Sequence, residues 1–455
     1  MPSASTDEYT ANVMLSFSAR RLSLRPQLTA RLAARLTPWL IGALAVFATG
    51  CEGDRPPAPP PPADMAIRFD SGDGGTITRD AEVDDLGAPD PDAGSGACRV
   101  EGEVLTLATD TIDRTVRLVD VAVSGSTFVV AWTDARGSVA DLFVYAWPAA
   151  DISGAEHRVT DDFALTRDAQ LAARTGGFVV GWVDNTLGRY EVLARPLDAA
   201  GVPTGSAQRV TNNMLREDAL RLTGLGGGGT MAAWIESDGL GGAAVTRAVP
   251  LDAAGAVIGA AATATAEPRR PNALALARLG VGAALAWNED GDVYLQALSS
   301  AGALSGTAGV INTENNASGD VALALDEDGG AVAFGVRVAG ARAEVRLRTV
   351  SATGAVDGPE AILTPSPATG ADPAVAAYAG GYVVAYRSAD PSSSAIRMAF
   401  ATSLGEYAGS EDVAATTAAG GGPRVAVSAD GRIVIAWLET DGASALVRAA
   451  KVVCE

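Results

Sequence analysis

Phe128-Val-Val-Ala-Trp132-Thr-Asp134 decides how this chain is read, because the same kind of stretch returns six more times. It comes back as Phe178-Val-Val-Gly-Trp182, Met231-Ala-Ala-Trp234, Ala284-Leu-Ala-Trp287, Ala331-Val-Ala-Phe334, Tyr382-Val-Val-Ala-Tyr386 and Ile433-Val-Ile-Ala-Trp437. The closing aromatics at 132, 182, 234, 287, 334, 386 and 437 stand 50, 52, 53, 47, 52 and 51 residues apart. A fixed period near fifty implies stacked copies of one supersecondary unit.

Outward from the motif, each copy splits into four short β-patterned runs. In the second copy these are Ala169 to Arg174, Phe178 to Trp182, Tyr190 to Arg195 and Ala207 to Thr211. Runs of this length, rich in Val, Tyr and Phe and bounded by Gly and Asp, predict strands. The turns between them, such as Thr175-Gly-Gly and Leu197-Asp-Ala-Ala-Gly201, predict antiparallel hairpins. The Leu-Asp-Ala-Ala-Gly turn recurs at 251–255. No segment carries helical periodicity over a useful length. Four strands in each of seven copies predict an all-β fold, one seven-bladed β-propeller of four-stranded antiparallel blades. The second run is the most apolar of each copy, as suits a strand covered by a neighbouring blade on either face, and its aromatic is expected between the sheets.

The strand count predicts how the ring closes. The seventh copy has Arg424 to Ser428, Arg432 to Trp437 and Ala445 to Val453, and then lacks an outer strand. Glu103 to Thr109, unassigned before the first copy, fits that place and would hide two sheet edges. Cys98 and Cys454 then fall at one end of the mixed blade, where an oxidising compartment would join them as a disulfide.

The N-terminal part reads as export machinery. Arg20, Arg21, Arg25, Arg31 and Arg35 precede an apolar run from Trp39 to Ala48, too short for a permanent membrane span. Ala48-Thr49-Gly50-Cys51 then resembles the lipobox of bacterial lipoproteins, in which the signal is cleaved before a cysteine that becomes lipidated. Ala48 departs from the leucine usual there, and the alternative is an ordinary signal peptide with an incidental cysteine. Beyond Cys51, Pro56-Pro57-Ala58-Pro59-Pro60-Pro61-Pro62 favours extended polyproline geometry. Asp70, Asp73, Asp80, Glu82, Asp84, Asp85, Asp90 and Asp92 follow among glycines, with too little apolar surface to offset chain entropy. The expected division is a lipoprotein signal peptide at 1–50, a disordered tether at 51–97 and the propeller at 98–455.

Ala-x-x-Gly-Gly-Phe/Tyr-Val-Val-x-Trp/Tyr followed by Leu-Asp-Ala-Ala-Gly resembles the repeats of uncharacterised envelope lipoproteins in GC-rich Gram-negative bacteria. The resemblance spans 98–455 and implies a lipid-anchored propeller of the cell envelope, attached to the outer membrane on its periplasmic or surface side. It implies no activity. The Gly-His…Trp-Asp signature of WD40 repeats is absent, and the Gly-Gly doublets precede the apolar strand, unlike those of Kelch repeats.

Five copies place an acid two residues after the aromatic: Asp134, Asp184, Glu236, Glu289 and Glu439. Such a rim could hold Ca²⁺ through carboxylate oxygens or bind cationic groups; alternatively each acid caps its own loop. No other cofactor is expected. Asp113-Arg114, Arg167-Asp168, Arg216-Glu217-Asp218 and Arg269-Arg270 sit in connections expected to open on the same face, as carboxylate grips or as solvated ion pairs. A net charge of −20 argues against nucleic acid. The only histidine, His157, falls on an expected outer strand, so neither a histidine metal site nor a His-dependent triad can be built. The expected function is binding, by a monomer acting as a scaffold for an envelope protein or a glycan. The alternative is a carbohydrate-active hydrolase or lyase using acids and arginines around the central opening. Asp, Arg and aromatics clustered in a central pocket would favour the enzyme; a Gly-lined pore would favour binding.

Overall fold

A computed structural model describes residues 98–454, apart from 111–116, 135–139, 152, 162–164, 186–187, 239–243, 267–270, 272, 339–341, 365, 391–392, 417–420 and 442–443. The signal peptide, the lipidation site Cys51 and the tether lie outside the described residues, as do Asp113, Arg114, Arg269 and Arg270.

Seven four-stranded antiparallel sheets form a ring, as the repeat predicts. The innermost strands are Arg117–Ser124, Arg167–Arg174, Arg216–Gly224, Ala273–Leu279, Ala317–Leu325, Thr369–Tyr378 and Arg424–Val427, and they define blades 1 to 7. Each packs against the innermost strand of the next blade, and that of blade 7 against that of blade 1. The second strands, from Thr127–Asp134 in blade 1 to Ile433–Asp441 in blade 7, carry the repeated motif. Because successive strand residues point to opposite faces, one second strand serves two seams. Phe128, Val130 and Trp132 pack against blade 7, while Val129 and Ala131 pack against blade 2. That is why the run is apolar throughout rather than alternating. The seven seams hold seven separate cores, and the closing aromatic of every blade is a buried wedge against the blade before it.

The turns stitch the blades together on the opposite side. Gly201 has φ 77° and Gly255 φ 80°, conformations that favour glycine. A Cβ on Gly201 would come within 2.7 Å of Ala146 Cβ in blade 1, so the turn also needs the missing side chain for close approach. Asp198 Oδ1 accepts the backbone N–H groups of Ala200 and Val202, and Asp252 Oδ1 those of Ala254 and Ala256. This explains the whole Leu-Asp-Ala-Ala-Gly signature: aspartate closes the turn and glycine lets it pack.

Several outer strands are shorter than the sequence predicts. In blade 2 the outer strand is Gln208–Arg209 rather than Ala207 to Thr211. The ladder gives way because Thr211 Oγ1 accepts the Val192 N–H at 2.8 Å in place of a backbone carbonyl. Thr160, Asn312 and Thr364 do the same for Leu142, Val293 and Val345.

Closure follows the predicted scheme with one refinement. The outer strand of blade 7 is split into Cys98–Val100 and Leu105–Asp110, both antiparallel to the third strand Ser444–Cys454. Cys98 and Cys454 are direct ladder partners and form a disulfide. Lys451 Nζ, buried at this seam, donates to the carbonyls of Pro148 at 2.8 Å, Ala149 at 3.2 Å and Asp151, and lies 4.5 Å from the Trp147 ring centre. Arg432 adds an ion pair to Glu101 at 3.0 Å and a hydrogen bond to the Ala149 carbonyl.

Candidate functional site

The rim acids lie at the ends of the second strands, where Glu236 and Glu439 are buried and Glu289 is half-buried. Asp134 and Asp184 are buried. Asp184 Oδ2 accepts the Trp182 indole N–H at 2.7 Å. Glu236 takes Arg247 Nε at 3.1 Å and Asn213 Nδ2 at 2.9 Å. Glu439 pairs with Arg448 at 3.3 Å, and Glu289 stands opposite Asp292 in the ladder of blade 4. Asp184 and Glu439 thus meet side chains of their own blades, and Glu236 meets one of its own blade and one of the connection from blade 2. Among the described residues no three His, Cys, Asp or Glu side chains converge as a metal site requires.

The predicted arginine–carboxylate connections meet at the seam between blades 2 and 3. Arg167 Nη2 reaches Asp218 Oδ1 at 2.8 Å and the Glu217 carbonyl at 2.9 Å, with its guanidinium carbon 4.0 Å from the centre of the Tyr190 ring. Arg216 reaches the other Asp218 oxygen at 2.8 Å. Glu217 itself points inward and is fully buried; among the described residues neither carboxylate oxygen makes a well-formed hydrogen bond, and the Asn213 amide, which bonds Glu236, offsets its burial only in part. It faces Glu236 across the ladder. Burial first, then the charges of Glu191 and Glu236, push its carboxyl up to about 7.

The innermost strands enclose a channel cavity of about 210 Å³. Its polar side chains are Asp120, Gln170, Arg221, Asp320 and Arg424. The channel side of an innermost strand has no neighbouring strand, so its backbone groups need other partners. Asp120 Oδ2 accepts the Leu171 N–H of blade 2 at 2.7 Å, and Arg221 Nε donates to the Leu274 carbonyl of blade 4 at 2.6 Å. Both side chains staple adjacent blades. Burial raises the Asp120 carboxyl above its ordinary range, against the Leu171 N–H and the Arg424 charge.

Leu276, Leu323 and Val375 line both this channel and a wider vestibule of about 1200 Å³. The vestibule opens on the face of the hairpins that join innermost to second strands, away from the rim acids. Arg278, Asp326, Asp328, Tyr378, Tyr382 and Asp430 give it its chemistry. Burial, and then the Asp326 charge, raise the Tyr382 phenol, so it remains a hydroxyl donor at neutral pH. Asp430 is taken by Ser428 Oγ, which with Arg432 holds its carboxyl low. Of these six, Tyr382 stood out in the sequence only as the start of a repeat motif and Asp430 only as part of Ser428-Ala-Asp430-Gly431, a loose likeness to a sialidase Asp-box; the other four did not stand out. The available signal was Tyr378-Ala-Gly-Gly-Tyr382, the one hairpin of this class flanked by two tyrosines. His157 lies on the outer strand of blade 1, as expected.

No family model matches the chain, and no curated protein does. Among solved structures, a protein of unknown function from Dyadobacter fermentans is similar at 9% identity and TM-score 0.43, over 77% of this chain and 99% of that one. The β-propeller domain of the Trilobed protease from Pyrococcus furiosus is similar at 10% identity and TM-score 0.41, over 75% and 94%. A sialidase from Trypanosoma rangeli is similar at 10% identity and TM-score 0.38, over 74% of this chain and 54% of that one, about half its length. No residue role is carried over from them.

Proposed function

We propose that this protein is an envelope lipoprotein, anchored through Cys51, whose propeller is a binding scaffold for an envelope protein or a glycan. The vestibule is the observation that carries the reading: a rigid ring presents a large, open, mixed polar and apolar concavity on one face. Loops and turns on a rigid scaffold are where recognition groups are best held. The lipobox-like Ala48-Thr49-Gly50-Cys51 and the proline-rich stretch after it support export and tethering. Two experiments test this. Full-length protein should fractionate with membranes and Cys51→Ser should release it; if both fractionate alike, the anchor is wrong. Folded full-length protein should retain one or two envelope components at stoichiometric yield over a reduced, unfolded control. Equal retention by the two removes the scaffold.

The second reading, a carbohydrate-active hydrolase, is favoured by one observation. The vestibule gathers carboxylates, an arginine and two tyrosines in one concavity, although glycines 329, 330, 380 and 381 line it too. Release of reducing sugar from envelope glycans, lost in Asp326→Asn, is the result this reading requires.

A further inference from the structure

We infer that the vestibule on the hairpin face is a binding site for a neutral oligosaccharide, with Tyr378, Tyr382, Asp326, Asp328 and Arg278 as its recognition groups. The inference rests on the scaffold reading and names the site and ligand class for it.

Three observations combine. The first is size. A concavity of about 1200 Å³ exceeds the ~300–1,000 Å³ of ordinary small-molecule sites, which suits a short chain of sugar rings better than one small metabolite. The second is the state of its polar groups. Neither tyrosine hydroxyl has a hydrogen-bond partner among the described residues. Arg278 uses Nε on the Gly280 carbonyl, and its Nη groups donate to no described residue. Asp326 uses one oxygen on the Asp328 N–H and leaves the other open. Donors and acceptors are therefore both available, as hydroxyl groups require, because each hydroxyl gives one hydrogen bond and accepts others. A simple cation or anion would use only one of the two kinds.

The third observation is the pair of half-buried aromatics. Tyr378 is fixed against Phe400 at 5.6 Å between ring centres, and Tyr382 packs on the core between blades 5 and 6. Rigid rings with an apolar body and a polar tip offer contact area at little entropic cost, matching the apolar C–H faces and polar edges of a pyranose. Charge decides against acidic sugars: Asp326, Asp328 and Asp430 outnumber Arg278 and Arg432 here, on a chain of net charge −20.

The test is calorimetric titration of the full chain with neutral oligosaccharides of glucose, of mannose and of N-acetylglucosamine. At least one should bind, and Tyr378→Phe/Tyr382→Phe and Asp326→Asn should each weaken it by about tenfold or more. The phenylalanine variant keeps the packing, so an unchanged unfolding temperature separates lost recognition from lost fold. Arg216→Gln, on the opposite face, should bind as the parent does. Sugar binding that survives both vestibule variants overturns this site and leaves the scaffold reading standing. Protein capture by the folded chain, with no sugar bound, overturns the ligand class alone. If neither sugar nor protein is retained, both readings fall.

Discussion

The seam that closes the ring and the seam between blades 2 and 3 treat buried charge in opposite ways. At the closing seam Lys451 is met by three carbonyls and the Trp147 ring, Arg432 by Glu101, and a disulfide lies across the ladder of the same blade. At the other seam, Glu217 is buried to the same degree with no well-formed hydrogen bond among the described residues and with carboxylates on two sides, which the Asn213 amide offsets only in part. The chain accounts for the difference. Blades 2 and 3 are joined by a short connection, which keeps them at high effective concentration whatever their contacts. The three C-terminal strands of blade 7, which carry Arg432 and Lys451, reach blade 1 and their own N-terminal outer strand only through the whole length of the ring, so their contacts must supply the adhesion. An unmatched group is tolerable where connectivity already holds the parts together.

The largest expected effect comes from cutting the covalent part of the closing seam. Cys98 and Cys454 are 356 residues apart, for which the chain-entropy model gives roughly 5–6 kcal/mol, with observed losses commonly nearer 2–5. Cys98→Ser/Cys454→Ser should lower the unfolding temperature by about 5 °C, given the large unfolding entropy of a chain this size. Reductant should produce the same fall in the parent and none in the variant. An unchanged transition would mean that Lys451 and Arg432 suffice to hold the ring shut.

Next in size is Glu217. Its carboxyl is raised from 4.5 to about 7 in the folded protein. Below pH 4.5 both folded and unfolded chains hold this proton, so it has no effect. Between 4.5 and 7 only the folded state holds it, and stability falls as pH rises. Above 7 the full penalty stands, about 3 kcal/mol for a shift of this order. Glu217→Gln should match the parent at pH 4 and exceed it in stability by a growing margin up to pH 7, then by a constant one. Equilibrium denaturation at four or five pH values decides it; a margin independent of pH would show that the carboxyl finds a partner after all.

The two seams also mark what could be read from the sequence. Blade count, strand order, the wedge aromatics and the Cys98–Cys454 pairing all follow from periodicity, since a motif repeated seven times is a strong signal of packing. The split outer strand of blade 7 did not follow, although Gly102, at φ 81° in the interruption at 101–104, is a break signal; Cys98 to Val100 before it is too short a run to read as a strand. The vestibule was hidden for a different reason. Its residues belong to hairpins of blades 4 to 7 that differ from copy to copy. Repetition reveals what is shared among blades, and recognition chemistry is carried by what is not. The rim acids showed the converse hazard. They recur and so attracted notice, yet their contacts differ from blade to blade: Asp184 meets the Trp182 indole, Glu236 meets Arg247 and Glu439 meets Arg448.

The Asp184 contact sets the smallest expected effect. Asp184 accepts the Trp182 indole N–H, whereas the indole N–H groups of Trp132, Trp234, Trp287 and Trp437 have no partner among the described residues. Asp184→Ala should therefore cost about 1.5 kcal/mol, the lower end of the range for a hydrogen bond to a charged group. Asp184→Asn, which keeps an acceptor in place, should cost less. Ca²⁺ provides the counter-test for the whole rim: a chelator should leave the unfolding temperature of the parent unchanged, because Asp184, Glu236 and Glu439 are already met by protein donors. A chelator-dependent drop that Asp184→Asn abolishes would show instead that the rim carboxylates turn outward to share an ion. The seam between blades 2 and 3 would then have a cation available to match its excess of carboxylates, and the contrast with the closing seam would disappear.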